Sequence, residues 1–334
     1  MKISRNTFNT MYDPRIHGVR QSTLNRWLIC RESARLSTCQ CWRRIGLKEP
    51  TTYGSIMHEC ISISNKKYHD YSLEGVLKEV PAIVDDAVKS YKEVIKLEGA
   101  FLTTEDQDMI ERSSRLIEYF FQEYLIRWWH DDHQRTWIKI EDKFQVPFKM
   151  SDGATVFLAG TYDGAFKPPT SDAIWLFETK NKRTWDGEKL SCTLPYDLQV
   201  ACYLTALKRT ENKVPVGCLY NILRRPGEKI GKKETLDDFA KRVTENIRSD
   251  QHKYFERISL RFTRSEVLLM EKRVEAIVQE YWDWWKKYGK GMEHDPLMNT
   301  GACDLPQRTC DMLPLCMNNE NRLFTRTTHK SVNA

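Results

Sequence analysis

Apolar residues recur at helical spacing through the first part of the chain and change to short strand-like runs after about residue 136. Leu24, Trp27 and Leu28 share one face of a predicted helix from Ser22 to Trp42, with Arg31 continuing the series. Tyr53 to Ile63 and Val80 to Lys96 read as further helices. So does Glu105 to Trp129, which carries a stripe of Ile110, Ile117, Phe120, Phe121, Tyr124 and Trp128. Runs rich in β-branched and aromatic residues then predict strands over Trp137 to Phe148, Thr155 to Phe166 and Ile174 to Thr179. A helix from Leu194 to Arg209 and a strand from Pro215 to Leu223 follow, then a helix from Leu236 to Ser249, a strand from Ile258 to Phe262 and a helix from Ser265 to Lys287. Residues 1–20, with Pro14 and Gly18, read as an irregular tail. The sum is an α/β protein: a central mixed sheet flanked by helices, with a helical N-terminal cap.

Polar residues interrupt the strands in one place. Gly160-Thr161-Tyr162-Asp163 follows the apolar stretch Val156 to Ala159, and Glu178-Thr179-Lys180 ends the stretch Ala173 to Phe177. Residues two apart on a strand share a face, so Glu178 and Lys180 point the same way. Asp163 lies beside them if the two strands pair as a hairpin. Two carboxylates and an amine gathered at a strand end are costly unless a metal ion or a reacting phosphate balances them. Gln199 and Tyr203, four apart on a helix, share a face. Each residue also has a plainer role: Asp163 in a turn before Gly164, Glu178 and Lys180 as a surface pair, His58 as an ordinary helix histidine, Gln199 and Tyr203 as helix packing.

Taken in order, Asp163, Glu178-x-Lys180 and Gln199-x-x-x-Tyr203 resemble the motifs of the PD-(D/E)xK nuclease superfamily, in its RecB-like branch. Tyr53 to Glu59 is similar to that branch's N-terminal helix, which supplies a metal-binding histidine, here His58. The resemblance implies a restriction-endonuclease-like core and metal-dependent hydrolysis of phosphodiesters. Under it, Asp163, Glu178, the Thr179 backbone carbonyl and His58 hold Mg²⁺ or Mn²⁺, and Lys180 orients water or phosphate. The helix bearing Gln199 and Tyr203 lines the site and contacts DNA, with Lys182 and Arg183 nearby. Gly231 to Phe239 resembles a loop-to-helix segment of RecB-like nucleases carried by bacteriophages.

The ten cysteines add a second signal. The first ten residues lack the apolar run of a signal peptide. No stretch approaches the roughly 20 apolar residues of a membrane span. The chain is therefore expected to be intracellular and cytoplasmic, where clustered thiols more often bind metal than pair as disulfides. Cys303, Cys310 and Cys316 lie close together in a turn-rich segment with Pro306 and Pro314. An all-thiolate iron–sulfur or zinc site needs four sulfurs converging on one point, so the fourth must come from elsewhere. The layout resembles the CRISPR-associated and AddB-type nucleases, which implies a 4Fe–4S cluster on these three and Cys30; Cys39 and Cys41 compete with Cys30, and zinc is the alternative metal. The interval from Cys303 to Cys310 is wider than that family's usual spacing. Cys60, Cys192, Cys202 and Cys218 read mostly as small hydrophobes.

Composition excludes a disordered chain: 40% of residues are hydrophobic and 29% charged. Residues 21–316 are expected to form one nuclease domain, with its core at 136–225, an iron–sulfur segment at 300–316 and a tail at 317–334. Residues 180–233 carry twelve Lys/Arg against five acids, a net +7 that exceeds the +6 of the whole chain. Such charge beside a phosphodiester site suits backbone contacts to nucleic acid. Two further clusters receive structural readings: Trp128 to His133 as a solvated helix end, and Trp282 to Tyr288 as packing beside the cysteine segment. The expected function is a metal-dependent deoxyribonuclease, an exonuclease acting on DNA ends or single strands in recombination, repair or phage replication, the end-processing role coming from the resemblance. Its expected protein partners are a recombinase, a single-strand-binding protein or a helicase. Competing readings are a DNA-binding assembly factor with a vestigial site and a structure-specific endonuclease.

Overall fold

A computed structural model describes residues 12–97, 102–182, 190, 192–290, 298–305, 308–318 and 320–326. Strand β1 (Trp42–Arg44) precedes the main sheet, which is built from β2 (Thr136–Lys149), β3 (Thr155–Lys167), β4 (Trp175–Lys182), β5 (Gly217–Arg224) and β6 (Phe255–Arg261) in that spatial order. Strands β2, β3 and β4 pair antiparallel, β4 and β5 parallel, and β5 and β6 antiparallel. The parallel step requires a crossover, supplied by the helix Leu198–Glu211. Two short strands, β7 (Asp304–Leu305) and β8 (Arg308–Thr309), form a hairpin in the cysteine segment. The last, β9 (Phe324–Arg326), pairs with β1. This is the expected mixed sheet flanked by helices.

Alternation along the strands divides the core in two. Leu176, Cys218, Tyr220 and Ile222 pack under the crossover helix (Val200, Cys202) and the helix Arg264–Trp284 (Val274, Val278). Phe177, Leu219, Leu223 and Phe255 face the opposite way, onto Ile56 and Met57 of the helix Glu49–Lys67 and Phe120 and Phe121 of the helix Thr104–His133. Local chemistry starts these helices. Thr103 and Asp106 form a capping box, and Thr263 and Glu266 another. Asp197 caps the crossover helix by accepting from Gln199 and Val200 N–H, and Asn212 ends it in the left-handed region.

Two segments differ from the sequence expectation. The helix expected over Ser22 to Trp42 breaks at Cys30, whose backbone is extended (φ −155°, ψ 114°), and its last turn, Arg35–Cys39, is a π-turn. No Gly or Pro announces the break. Long-range contacts hold it, among them Asn299 Nδ2 donating to Ile29 O at 2.9 Å. Leu28, expected on the buried face, is exposed. The segment 1–20 is not irregular throughout: Pro14–His17 is a one-turn helix, and Val19 bridges to β3, donating to Phe157 O and accepting from Ala159 N–H. No helix among the described residues is long and apolar enough to cross a membrane.

Candidate metal-dependent active site

Strand register builds the site. Gly164 pairs with Phe177, so the next position along places Asp163 opposite Glu178. On the other side of β3, Ile140 pairs with Gly164 and Asp142 with Tyr162, which sets Glu141 opposite Asp163. Three carboxylates thus stand in one row across β2, β3 and β4. Gly164 makes room there, because a Cβ on it would meet the Trp137 ring at 2.7 Å. The helix Glu49–Lys67 lies above and brings His58 Nδ1 to 3.4 Å from Asp163 Oδ2. His58, Glu141 and Asp163 each offer one ligand atom, all within 4.8 Å of one another. They line a cavity of about 580 Å³ together with Glu59, Thr161 and Asn181.

Glu178 is completely buried. Lys180 Nζ, on the same face of β4, and Gln199 Nε2 both donate to its Oε1, at 2.5 and 2.8 Å. Its Oε2 is buried and has no hydrogen-bond partner among the described residues. A buried carboxylate oxygen left unmatched is costly. Burial, and then the charge of Asp163, push Glu178 up to about 8, and the same two causes push Glu141 up to about 7. Burial also acts to raise Asp163, but His58, Lys180 and the Thr179 N–H outweigh it and hold its carboxyl below the usual range. His58 is raised despite burial because Asp163 faces it. Lys180 likewise rises against its burial, through Glu178 and Asp163. A divalent cation fits this set: an orphaned carboxylate oxygen and crowded acids are hard oxygen ligands of the kind Mg²⁺ takes, and the one imidazole, a softer donor, tilts the preference to Mn²⁺.

A polar network backs the row. Thr179 N–H donates to Asp163 Oδ2 at 2.7 Å, and Thr179 Oγ1 accepts from Asn221 Nδ2 at 3.2 Å. Arg257 Nε donates to Asn221 Oδ1 at 3.1 Å, and the same guanidinium grips both oxygens of Asp132 at 2.8 and 2.7 Å. Asp132 therefore belongs to a buried ion pair, which corrects the reading of Trp128 to His133 as a solvated helix end. Tyr203 stands one turn from Gln199, its ring against Phe144 and Tyr162. Lys182 is half-buried at the end of β4, while Arg183 lies outside the described residues.

Sequence reasoning missed Glu141, which looks like one of several charges on an exposed strand face. A signal was present, since the turn at Ser151 to Gly153 fixes the hairpin register and counting back from it pairs position 141 with 163. The charge run over 180–233 is also less free than its composition suggests. Lys208 pairs with Glu271, Arg209 with Glu271 and Glu275, and Arg225 with Glu49. Trp282 donates to Asp152 in the β2–β3 turn, and Trp284 packs on Trp27 of the helix Gln21–Ile29, so the described contacts of this aromatic run go to the sheet and the N-terminal helix rather than to the cysteine segment.

The cysteine segment folds back onto the break at residue 30. Cys303 is raised by burial and by neighbouring Cys310 and Cys30. Cys316 is pushed up to about 11 by burial, Glu32 and the other three thiols. Cys39 and Cys41 do not join this group: Cys39 faces Tyr281 and Arg35, and Cys41 faces Arg326 and Arg43. Leu36, Met312, Leu315 and Phe324 pack around it as a separate small core.

Compared with curated proteins, the chain matches none. The family model described as the PD-(D/E)XK nuclease superfamily matches residues 21–316, a span holding every carboxylate, lysine and cysteine placed above. The chain therefore belongs to the PD-(D/E)XK nuclease superfamily, which implies a metal-dependent nuclease.

Proposed function

We propose that this protein is a divalent-metal-dependent deoxyribonuclease of the RecB-like branch, an exonuclease acting at DNA ends in recombination, repair or phage replication. The observation that carries the reading is that Asp163, opposite Glu178 in the sheet, has its carboxylate within 4.8 Å of ligand atoms of Glu141 and His58. Asp163, Glu178, His58 and the Thr179 carbonyl are the proposed ligands, joined by Glu141. A bound Mg²⁺ or Mn²⁺ supplies Lewis-acid activation of water and neutralises charge on the phosphate. Lys180, held on Glu178, is placed to orient the water or stabilise the phosphate as a compact point charge. Gln199 fixes one oxygen of Glu178, and Tyr203 supports the helix that carries it. Residues 21–316 are the proposed single domain, and the ten free cysteines favour a reducing, cytoplasmic location.

Cys30, Cys303, Cys310 and Cys316 are proposed to hold a 4Fe–4S cluster. The thiols of Cys303 and Cys316 each feel Cys30 and Cys310, which supports a shared site, and zinc held by the same four sulfurs is the alternative.

The test is cleavage of end-labelled linear and closed circular DNA by anaerobically prepared protein in Mg²⁺ and in Mn²⁺, beside Lys180→Ala. The expected result is release of end nucleotides from linear DNA by the wild type alone. Cutting of the circle would make it an endonuclease, and inert wild type would make it an assembly factor.

A further inference from the structure

We infer that a single polynucleotide strand reaches the active site along a basic groove formed by the N-terminal segment, β1 and the cysteine segment; this rests on the nuclease reading above. The groove has a volume of about 1190 Å³, above the roughly 300–1,000 Å³ of small-molecule pockets, so it suits an extended polymer. Arg20, Arg26, Arg43, Arg44, Lys48 and Lys143 line it, and among the described residues one carboxylate does, Asp311, which Lys48 contacts at 2.6 Å.

The groove meets the catalytic row from two sides. Thr51 and Thr161 line both it and the cavity that holds His58, Glu141 and Asp163. Ser22, Arg26 and Met312 line both it and a smaller cavity of about 320 Å³ that contains Gln199, the residue bound to Glu178. Its composition selects the form of the substrate. Tyr91 lies among the cations, beside apolar Ile45 and Leu47, and Trp42, which Arg326 covers at 4.5 Å, lines the same wall. A duplex offers mainly phosphates to such a wall, whereas a single strand also offers unstacked bases to aromatic faces.

The test is binding of a labelled single-stranded oligonucleotide without divalent ion, so that affinity is read whether or not the protein cuts. Arg44 and Lys143 are both exposed, which makes Arg44→Glu/Lys143→Glu compatible with folding. The pair is expected to weaken binding at least tenfold and to flatten the salt dependence by about 0.7 in log–log slope per lost phosphate contact. Lys232→Glu/Lys233→Glu, in the basic loop before the helix Leu236–Ser249, is expected to bind as the wild type does. Unchanged affinity in the groove variant, or an equal loss in the loop variant, overturns the inference. So does a duplex bound as tightly as the single strand and lost in parallel. A wild type that binds the strand through the groove yet cuts nothing would instead count against the nuclease reading.

Discussion

The backbone N–H of Thr179 donates to Asp163 Oδ2 at 2.7 Å, so one carboxylate both fastens β4 to β3 and faces the proposed metal position. The two roles separate by mutation. Asp163→Asn keeps an acceptor for the buried N–H but removes the charge, so cleavage should fall at least a hundredfold while the melting temperature falls less than in Asp163→Ala. Asp163→Ala removes both and leaves Thr179 N–H unmatched, at an added cost of roughly 1–3 kcal/mol. Melting curves and cleavage rates on the two variants check this. Equal destabilisation by both would show that the hydrogen bond does not depend on that oxygen.

Glu178 and Glu141 predict a metal-free protein that weakens as pH rises. Both are raised, to about 8 and about 7, by burial and by Asp163. A carboxyl raised in the folded state contributes stability that is complete below its unfolded pKa of about 4.3, and that stability is lost as pH rises through the folded value. His58, also raised, acts in the same direction, and Asp163, lowered, loses its contribution only in acid. The metal-free melting temperature should therefore fall between pH 5 and pH 8, roughly the window of these shifts. A divalent ion binds the deprotonated ligands, so its stabilising effect should grow over the same range. Thermal melts with and without Mn²⁺ at pH 6 and 8.5 read this directly, and a metal-induced shift that ignores pH would contradict it.

What the sequence revealed and concealed divides by range of interaction. Strands β2 to β5 were legible because β-branched and aromatic residues alternate along them, and Glu178-x-Lys180 declared its shared face by spacing alone. Asp163 is legible as a neighbour of Glu178 from the hairpin pairing of β3 with β4. Glu141 stayed hidden because only register distinguishes it from Lys139, Asp142 and Lys143 beside it. The break at Cys30 and the pairing of β1 with β9 were out of reach for a different reason. Both depend on residues near position 300 and beyond, about which local periodicity carries no information. Charge misled in a similar way, since the acids that match Lys208 and Arg209 lie more than sixty residues away on the helix Arg264–Trp284.

Asn221 predicts a loss of rate beyond its loss of fold, which is roughly 1–3 kcal/mol because Ala leaves the buried Arg257 Nε unmatched. Its amide donates to Thr179 Oγ1 and to Tyr124 OH, and its carbonyl accepts from Arg257. Asn221→Ala leaves every proposed ligand in place but frees the Thr179 side chain, so metal affinity and cleavage should each drop by about 10–100-fold, as outer-shell changes commonly do. Arg257→Ala should behave differently, because it removes the main partner of buried Asp132. A cost towards the low end of about 3–5 kcal/mol is expected, since Arg135 also contacts that carboxylate. A metal titration and a denaturant melt on both variants separate the two effects, and unaltered metal affinity in Asn221→Ala would remove the network from the function.

The four clustered cysteines predict a coloured protein whose colour and fold are linked. Cys30 sits at the helix break, and Cys303, Cys310 and Cys316 come from the segment that packs against Leu36 and Phe324, so a shared cluster ties the two ends of the matched span together. Cys30→Ser or Cys310→Ser should abolish visible absorption in anaerobic preparations and lower the melting temperature, because binding energy for a metal held in a site absent from the unfolded chain is folding energy. Cys39→Ser, outside the group, should keep the colour. The same losses should open the groove wall at Asp311 and Met312, so strand binding should weaken in Cys310→Ser even where the carboxylate row is untouched. Iron and zinc analysis of the purified variants decides between metals, and a colourless wild type with one equivalent of zinc would replace the cluster with a zinc site.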